Sequence, residues 1–192
     1  MFLLRPFVFL RHGSTDWNQE NRLLGQQDIP LNDRGCEQAK EASQILTYLQ
    51  FSMIVCSPLQ RCQQTADIIN EKLNLPTFTH EGLMEANLGE KEGHLKNDSV
   101  SFQAWQKEEA PASGEAYSQF KVRVLKSVED IFTISQYGFV LVIAHGGVFE
   151  AIRDNFQMPE FYLPCATPVV VYPRLDAIIL EKKNCVVHTQ QF

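Results

Sequence analysis

Phe7-Val-Phe-Leu-Arg-His-Gly-Ser-Thr-Asp-Trp-Asn18 is the stretch that decides how the rest of this chain is read. Four strand-favouring apolar residues run directly into a basic pair, Arg11 and His12, then into Gly13 and a hydroxyl-rich turn that leads to Asn18. A buried strand of this kind delivers two ionisable side chains at its carboxyl end, beyond which open α/β sheets bind their ligands. Gly13 is expected to let the backbone come close to a bound group, with Ser14, Thr15 and Asn18 as neutral hydrogen-bond donors. Such a loop suits an anion, and phosphate fits best. Taken alone, the pair is explained as well by a strand end that points both side chains into water, so the remaining chain has to decide.

A loop over 13–31, holding Gly25, Asp28 and Pro30, leads to a helix with Asn32 as its N-cap. Ala39, Ala42, Leu46 and Leu49 recur there at three- and four-residue spacing, and Ile45 widens the apolar face. Phe51 to Cys56 reads as a second strand, stopped by Ser57-Pro58; Leu59, Cys62, Ala66, Ile69 and Leu73 then mark a second amphipathic helix with Arg61 in its first turn. Leu75 to Thr79 reads as a short edge strand, because Pro76 cannot donate to an interior ladder. Residues 80–114 are irregular, with Glu85, Gly89 and Gly93 and a short helix around Val100 to Lys107; loops of that length are usually functional or poorly ordered. A long helix over 115–135 presents Phe120, Val124, Val128 and Ile131 on one face. Phe139 to Ala144 is apolar throughout, as in a central strand covered on both faces, and ends in His145-Gly146-Gly147 before a helix over Val148 to Asn155. Strands at Val169 to Tyr172, Ala177 to Glu181 and Cys185 to His188, the last two joined by Lys183-Asn184, predict a terminal hairpin. Strands alternating with helices imply an α/β three-layer sandwich, a largely parallel central sheet with helices on both faces, in a single domain over 1–192.

Composition narrows the function. A chain of 192 residues, 44% hydrophobic and 21% charged, buries a substantial core without staples. A formal net charge of -6 and the lack of any basic block argue against nucleic acid and anionic membranes, so an anion site must be local. The five cysteines lie at irregular spacing with no C-x-x-C pair, which suggests neither a disulfide framework nor a zinc site, and reduced cytoplasmic thiols are expected. The apolar start is broken by Arg5 and Pro6 and reads as the lead-in to the first strand rather than a secretion signal. No stretch approaches the roughly 20 apolar residues of a membrane helix, so a soluble, cytoplasmic protein is expected. A local anion site suits a small phosphorylated ligand as partner; an apolar terminal strand suits sheet completion and subunit contact equally, which leaves the oligomeric state open.

If the strands are parallel neighbours, Arg11-His12, Arg61 and His145 converge at one end of the sheet. Two guanidiniums give forked, charge-assisted bonds to a phosphoryl group, and the helix after His145 adds amide N–H groups and the positive end of a dipole.

Leu10-Arg-His-Gly-Ser-Thr-Asp-Trp-Asn18 resembles the signature of the histidine phosphatase superfamily, the phosphatases related to phosphoglycerate mutase. The resemblance continues in order through Pro30-Leu31 with Gly35 and Gln38-Ala39, Cys56-Ser57-Pro58-Leu59 with Arg61 and Thr65-Ala66, and Glu85 with Leu88-Gly89, Glu92 and Gly93. It ends with Gly114-Glu115, Arg123 and Ala144-His145-Gly146-Gly147. In the family's Gly-Glu-Ser motif this chain has Ala116 in the third place. The resemblance implies that His12 attacks phosphorus through an unprotonated ring nitrogen to form a phosphohistidine. Arg11, Arg61 and His145 would hold the equatorial oxygens, with Asn18 as a neutral donor, and neither a metal nor another cofactor is expected. Glu85 would protonate the leaving alkoxide and then draw a proton from the attacking water. Thr15, Gly25 and Gly146 are counted with Arg11, Asn18 and Arg61 among the expected phosphate- or substrate-binding residues. His80, His94 and His188 match no motif, and Trp17 and Trp105 are read as packing.

The expected activity is phosphomonoester hydrolysis of a small metabolite, α-ribazole phosphate or a broad range. A phosphoglycerate mutase is the alternative; the family's mutases carry a long insertion where this chain has only residues 93–115, with Lys96 and Lys107 as basic residues. A non-catalytic phospho-ligand-binding module would be expected to have lost some of the five reactive positions. A cysteine phosphatase built on Cys56 and Arg61 fails on spacing, since four residues including Pro58 separate them where that chemistry uses a five-residue amide loop.

Overall fold

Strict alternation along the strands divides the core between two faces of one sheet. The computed structural model describes residues 5–96, 105–106, 110–135, 138–160, 162–172 and 177–179. Its strands are β1 (Phe7–Arg11), β2 (Phe51–Cys56), β3 (Thr77–Thr79), β4 (Phe139–Ala144), β5 (Pro168–Val171) and β6 (Ala177–Ile179), and its helices α1 (Asp16–Gln19), α2 (Asp33–Leu46), α3 (Gln60–Leu73), α4 (Tyr117–Ile134) and α5 (Gly146–Asn155). Phe7 and Phe9 of β1 join Val140, Val142 and Ala144 of β4 on the face covered by α4 and α5, through Phe120, Val124, Ile131, Val148 and Phe149. Val8, Leu10, Ile54, Leu141 and Ile143 face the other way, onto Ala42 and Leu46 of α2 and Cys62, Ala66 and Ile69 of α3. That is the period-two side-chain rule of a strand buried on both faces.

The strand order is β3-β2-β4-β1-β5-β6. The first four strands are mutually parallel, β5 pairs antiparallel with β1, and β6 pairs antiparallel with β5. The expected α/β sandwich with a largely parallel sheet is therefore what forms, and β2 and β4 span the residues read from the sequence. One feature goes beyond the expectation: β5 returns antiparallel along β1, with β6 paired to its other edge, which hydrophobic pattern alone does not orient; the expected turn at 183–184 lies outside the described residues. The expected strand at 185–188 and most of the expected helix at 100–107 lie outside the described residues. Helix α1 went unread because its four residues are too few to show a period; it is held by a Thr15–Asn18 capping box. Among the described residues no helix is long and apolar enough to cross a membrane.

The sheet sets up the site through neighbouring strands that send the chain to opposite faces. From β1 the chain passes to α2 on one face, and from β4 to α5 on the other. Their carboxyl ends therefore part around a crevice, the switch point at which doubly wound sheets bind ligands.

The role expected of Gly13 needs correction. A Cβ on Gly13 would lie 2.5 Å from the Gly35 carbonyl oxygen, and one on Gly35 would lie 2.1 Å from that of Ser14. Gly13 thus admits the first turn of α2, not a ligand. Asn32 secures the same junction: its side chain accepts from Gly35 N at 3.0 Å, and its own N–H donates to Ser14 O at 3.1 Å. Because both partners are backbone, Gly35→Ala should cost about 1–3 kcal/mol of stability, the usual scale of overpacking. A lowered urea midpoint is expected; an unchanged midpoint would show that the junction yields freely.

Candidate active site

The pairing of β1 with β4 places Arg11 opposite Ala144, and His12 N donates to Ala144 O at 2.9 Å. His12 and His145 consequently leave adjacent strands at the same level, with ring centroids 5.2 Å apart and planes at 61°. His12 Nδ1 lies 2.7 Å from Gly13 O. A carbonyl only accepts, so Nδ1 carries the proton and Nε2 is left with a bare lone pair. His12 is buried, and that burial first, then the charges of Arg61 and Arg11, hold its imidazole well below the usual histidine range.

Arg61 is completely buried at the start of α3. Its Nη1 donates to Gln27 O at 2.7 Å, its Nη2 to Gly25 O at 2.8 Å, and its Nε to His145 Nδ1 at 3.3 Å. Gly25, with φ of +53°, therefore meets the site through its carbonyl on Arg61. A Cβ there would run into the Glu92 carboxylate, which accepts from Gln26 N and Leu88 N and so ties this loop to the Glu85 segment. His145 is buried, with Nε2 2.8 Å from Ser57 Oγ and its ring against Cys62 Sγ. Burial first, then Arg61 and His12, also hold His145 well below the usual range.

Of the three buried side-chain polar atoms without a protein partner among the described residues, two are donors at this site, Arg11 Nε and Asn18 Nδ2; the third is the Ser135 hydroxyl, away from it. The Asn18 amide is oriented by its other end, since Oδ1 accepts from Thr15 N at 3.2 Å and Thr15 Oγ1 at 3.1 Å. Thr15 itself is committed to this cap, so it serves the site by aiming Asn18. Arg11 Nη1 donates to Leu163 O at 3.0 Å and reaches Tyr162 Oη at 3.4 Å, and the guanidinium lies along Gly146. Helix α5 begins there with no cap from the His145 side chain, which turns its positive dipole end toward the same crevice, with Gly147 N–H taken by Glu85 at 3.1 Å. Unpartnered buried donors are costly, and together these describe a socket for an anion.

Glu85 sits at the rim with its carboxylate on two backbone amides, Ala86 N at 3.0 Å and Gly147 N at 3.1 Å. A Cβ on Gly147 would lie 2.3 Å from Glu85 Oε1, so the second glycine of the Gly-Gly pair makes room for this acid. Arg123 on α4 braces the segment from behind, donating to the carbonyls of Gly82, Met84 and Glu85 while pairing with Glu115 at 2.6 Å. Ala116 offers no cap to α4, yet Gln119 Oε1 accepts from Ala116 N at 3.1 Å and closes that turn from the other side. The bracing role of Arg123 and the contacts of Ser57 and Cys62 were not read from the sequence. Lys96, an exposed residue that reads from the sequence only as basic, has its pKa lowered, first by desolvation of its ammonium and then by the charge of Arg11. Burial pushes the Cys56 thiol up to about 12, so it is no thiolate near neutral pH. Among the described residues no three His, Cys, Asp or Glu side chains are grouped as a metal ion requires.

Both buried histidines have depressed folded-state pKa values, so the unfolded chain binds protons that the folded chain refuses. Stability is fully present above the unfolded histidine value of about 6.5 and is lost as pH falls toward the folded values, at up to about 1.4 kcal/mol per pH unit for each ring. Urea midpoints should therefore fall between pH 7 and 5, with His12→Asn flattening the slope by about half; midpoints independent of pH would contradict this.

Residues 7–161 match the family described as histidine phosphatase superfamily (branch 1). The chain is 31% identical to the phosphatase PhoE of Bacillus subtilis over 77% of this chain and 75% of that protein. It is 33% identical to a glucosyl-3-phosphoglycerate phosphatase of Mycolicibacterium vanbaalenii over 78% of this chain and 72% of that protein. Proteins named as α-ribazole phosphatases and phosphoglycerate mutases also match, at 26 to 30% identity. Among solved structures, the mycobacterial glucosyl-3-phosphoglycerate phosphatase in complex with VO3 superimposes with a TM-score of 0.79 at 26% identity, covering 91% of this chain and 96% of that one. A sheet that aligns two buried histidines beside two arginines, in a chain matched along most of its length, places this protein in the histidine phosphatase superfamily.

Proposed function

We propose that this member of the family is a phosphomonoester hydrolase that works through a phosphohistidine on His12. The observation that carries the reading is the bare Nε2 of a buried neutral imidazole, fixed by Gly13 O and set beside the open donors of Arg11 and Asn18 and the N-terminus of α5. The Nε2 lone pair forms the N–P bond while the ester P–O bond breaks, and Glu85 passes a proton to the leaving alkoxide. In the second half Glu85 takes a proton from water, whose oxygen forms the new P–O bond as the N–P bond breaks. Arg11, Arg61, His145 and the α5 amides offset the charge on the equatorial oxygens, and these steps draw on no metal or other cofactor. With its Nη groups on neutral carbonyls and not on a carboxylate, Arg61 keeps its full charge for the anion.

The substrate in this reading is a small phosphorylated metabolite. α-Ribazole phosphate and phosphorylated glycerates are candidates because relatives are named for such substrates. Hydrolysis is favoured over mutase transfer by the short segment over 93–115. A panel of phosphorylated metabolites, assayed with and without a bisphosphoglycerate, tests the reading. Phosphate release without a bisphosphate requirement is expected, with an acid-labile, alkali-stable phosphoryl label in quenched enzyme. His12→Asn should abolish the label and lower kcat by about a thousandfold or more. Glu85→Gln should lower kcat by about 10²–10⁴-fold. Rapid isomerisation without phosphate release, or an undiminished label in His12→Asn, would overturn the proposal.

A further inference from the structure

The hydrogen bonds behind His145 run in one direction only. Arg61 Nε can only donate, so His145 Nδ1, 3.3 Å away, presents a lone pair and the ring proton is on Nε2. Nε2–H then donates to Ser57 Oγ at 2.8 Å. Ser57 hydrogen-bonds the Cys62 side chain, whose Sγ lies 3.5 Å from Ala144 O. That last carbonyl accepts only, and burial pushes the Cys62 thiol up so that it keeps its proton. With the Cys62 proton on Ala144 O, the nearer of its two acceptors (3.5 Å, against 3.8 Å to His145 Nδ1), the protons of His145 Nε2, Ser57 and Cys62 all point away from the crevice.

His145 in this state has nothing to donate to an anion. Its one N–H is held on Ser57, and its other nitrogen would turn a lone pair toward a phosphoryl oxygen. Building on the phosphatase reading, we infer that Ser57 and Cys62 are positioning residues that keep Nε2–H in place, so that an oxyanion binds only as His145 Nδ1 takes up a proton from water. The new N–H bond forms with the Nδ1 lone pair, the Arg61 Nε–H is released from it toward the anion, and His145 becomes an imidazolium held at both nitrogens. The charged and titratable groups facing it are Arg61 and Cys62 of α3, Arg11 and His12 of β1 and its end, Arg123 of α4, and Glu85 on the Gly147 amide. Arg61, His12, Arg11 and Arg123 oppose the proton, and an arriving dianion is what reverses that balance.

Sulfate separates this from protons carried in by the ligand, because it is a dianion throughout the range tested. Ring ¹⁵N spectra of the full chain at pH 7.5 should show His145 as the neutral Nε2–H form without sulfate and protonated on both nitrogens with it. The sulfate Kd should weaken with rising pH between 6.5 and 8. In Ser57→Ala, where the neutral Nδ1–H form becomes available, the Kd should lose about tenfold per pH unit of that dependence; Cys62→Ala should shift it the same way. Sulfate bound with His145 still neutral, or identical pH profiles in wild type and both variants, would overturn the inference while leaving the phosphatase reading intact. Failure of sulfate to perturb either histidine would overturn both.

Discussion

The parallel pairing of β1 with β4 is the constraint on which the rest depends. One register, Arg11 opposite Ala144, carries His12 and His145 off neighbouring strands at a common height. The pairing of β2 with β4 brings Ser57 to the same level, its N–H donating to Ile143 O at 3.0 Å. A slip of one residue would exchange every side chain between the two faces of the sheet, moving Phe7 and Phe9 to the α2 and α3 side and turning the imidazoles away from each other. The two hydrophobic layers thereby fix the chemistry as well as the fold. Since α2 and α5 leave on opposite faces, the crevice at the strand ends follows from topology alone.

What the site adds is an electrostatic arrangement that is unfavourable until an anion arrives. A fully buried guanidinium is held by carbonyls, two buried imidazoles are kept neutral, and donors on Arg11 and Asn18 lack protein partners. Burying cations and donors in this way costs stability, and the packing of two apolar layers has to offset it. The supporting contacts are mostly backbone: Glu92 on loop amides, Arg123 on the carbonyls of Gly82, Met84 and Glu85, and Glu85 itself on the amides of Ala86 and Gly147. Such contacts hold the reactive groups with little freedom, as preorganised electrostatic catalysis requires.

Much of this was legible in the sequence, for identifiable reasons. β2 and β4 were readable because their ends are marked, by Ser57-Pro58 and by His145-Gly146-Gly147, and Asn32 announced α2 as an N-cap. The convergence of Arg11, His12, Arg61 and His145 followed from placing each at a strand end or just after one. The direction of β5 was not readable, because four buried residues carry no sign of orientation. Gly13 was assigned to ligand approach when its need is contact with Gly35, since a glycine records that space is required without naming the neighbour. Thr15 and Gly25 are expected from the sequence among the substrate-binding residues; the contacts that the structure gives them are with Asn18, which Thr15 orients, and with Arg61, which the Gly25 carbonyl holds. Ser57 and Cys62 escaped notice because a small polar residue and a thiol near a strand end have many uses, and only the direction of their hydrogen bonds separates those uses.

The central claim is that one phosphorus atom is reached at once by His12 Nε2 and by the ring of donors around it. A crystal structure of the full chain with orthovanadate tests this most directly. Vanadium is expected within covalent reach of His12 Nε2, about 2 Å by analogy with ordinary metal–imidazole bonds. Its equatorial oxygens should meet Arg11, Arg61, Asn18, His145 and the α5 amides, with Glu85 beside the apical oxygen opposite the imidazole. Vanadate bound elsewhere, or bound here with His12 turned away from it, would contradict the account.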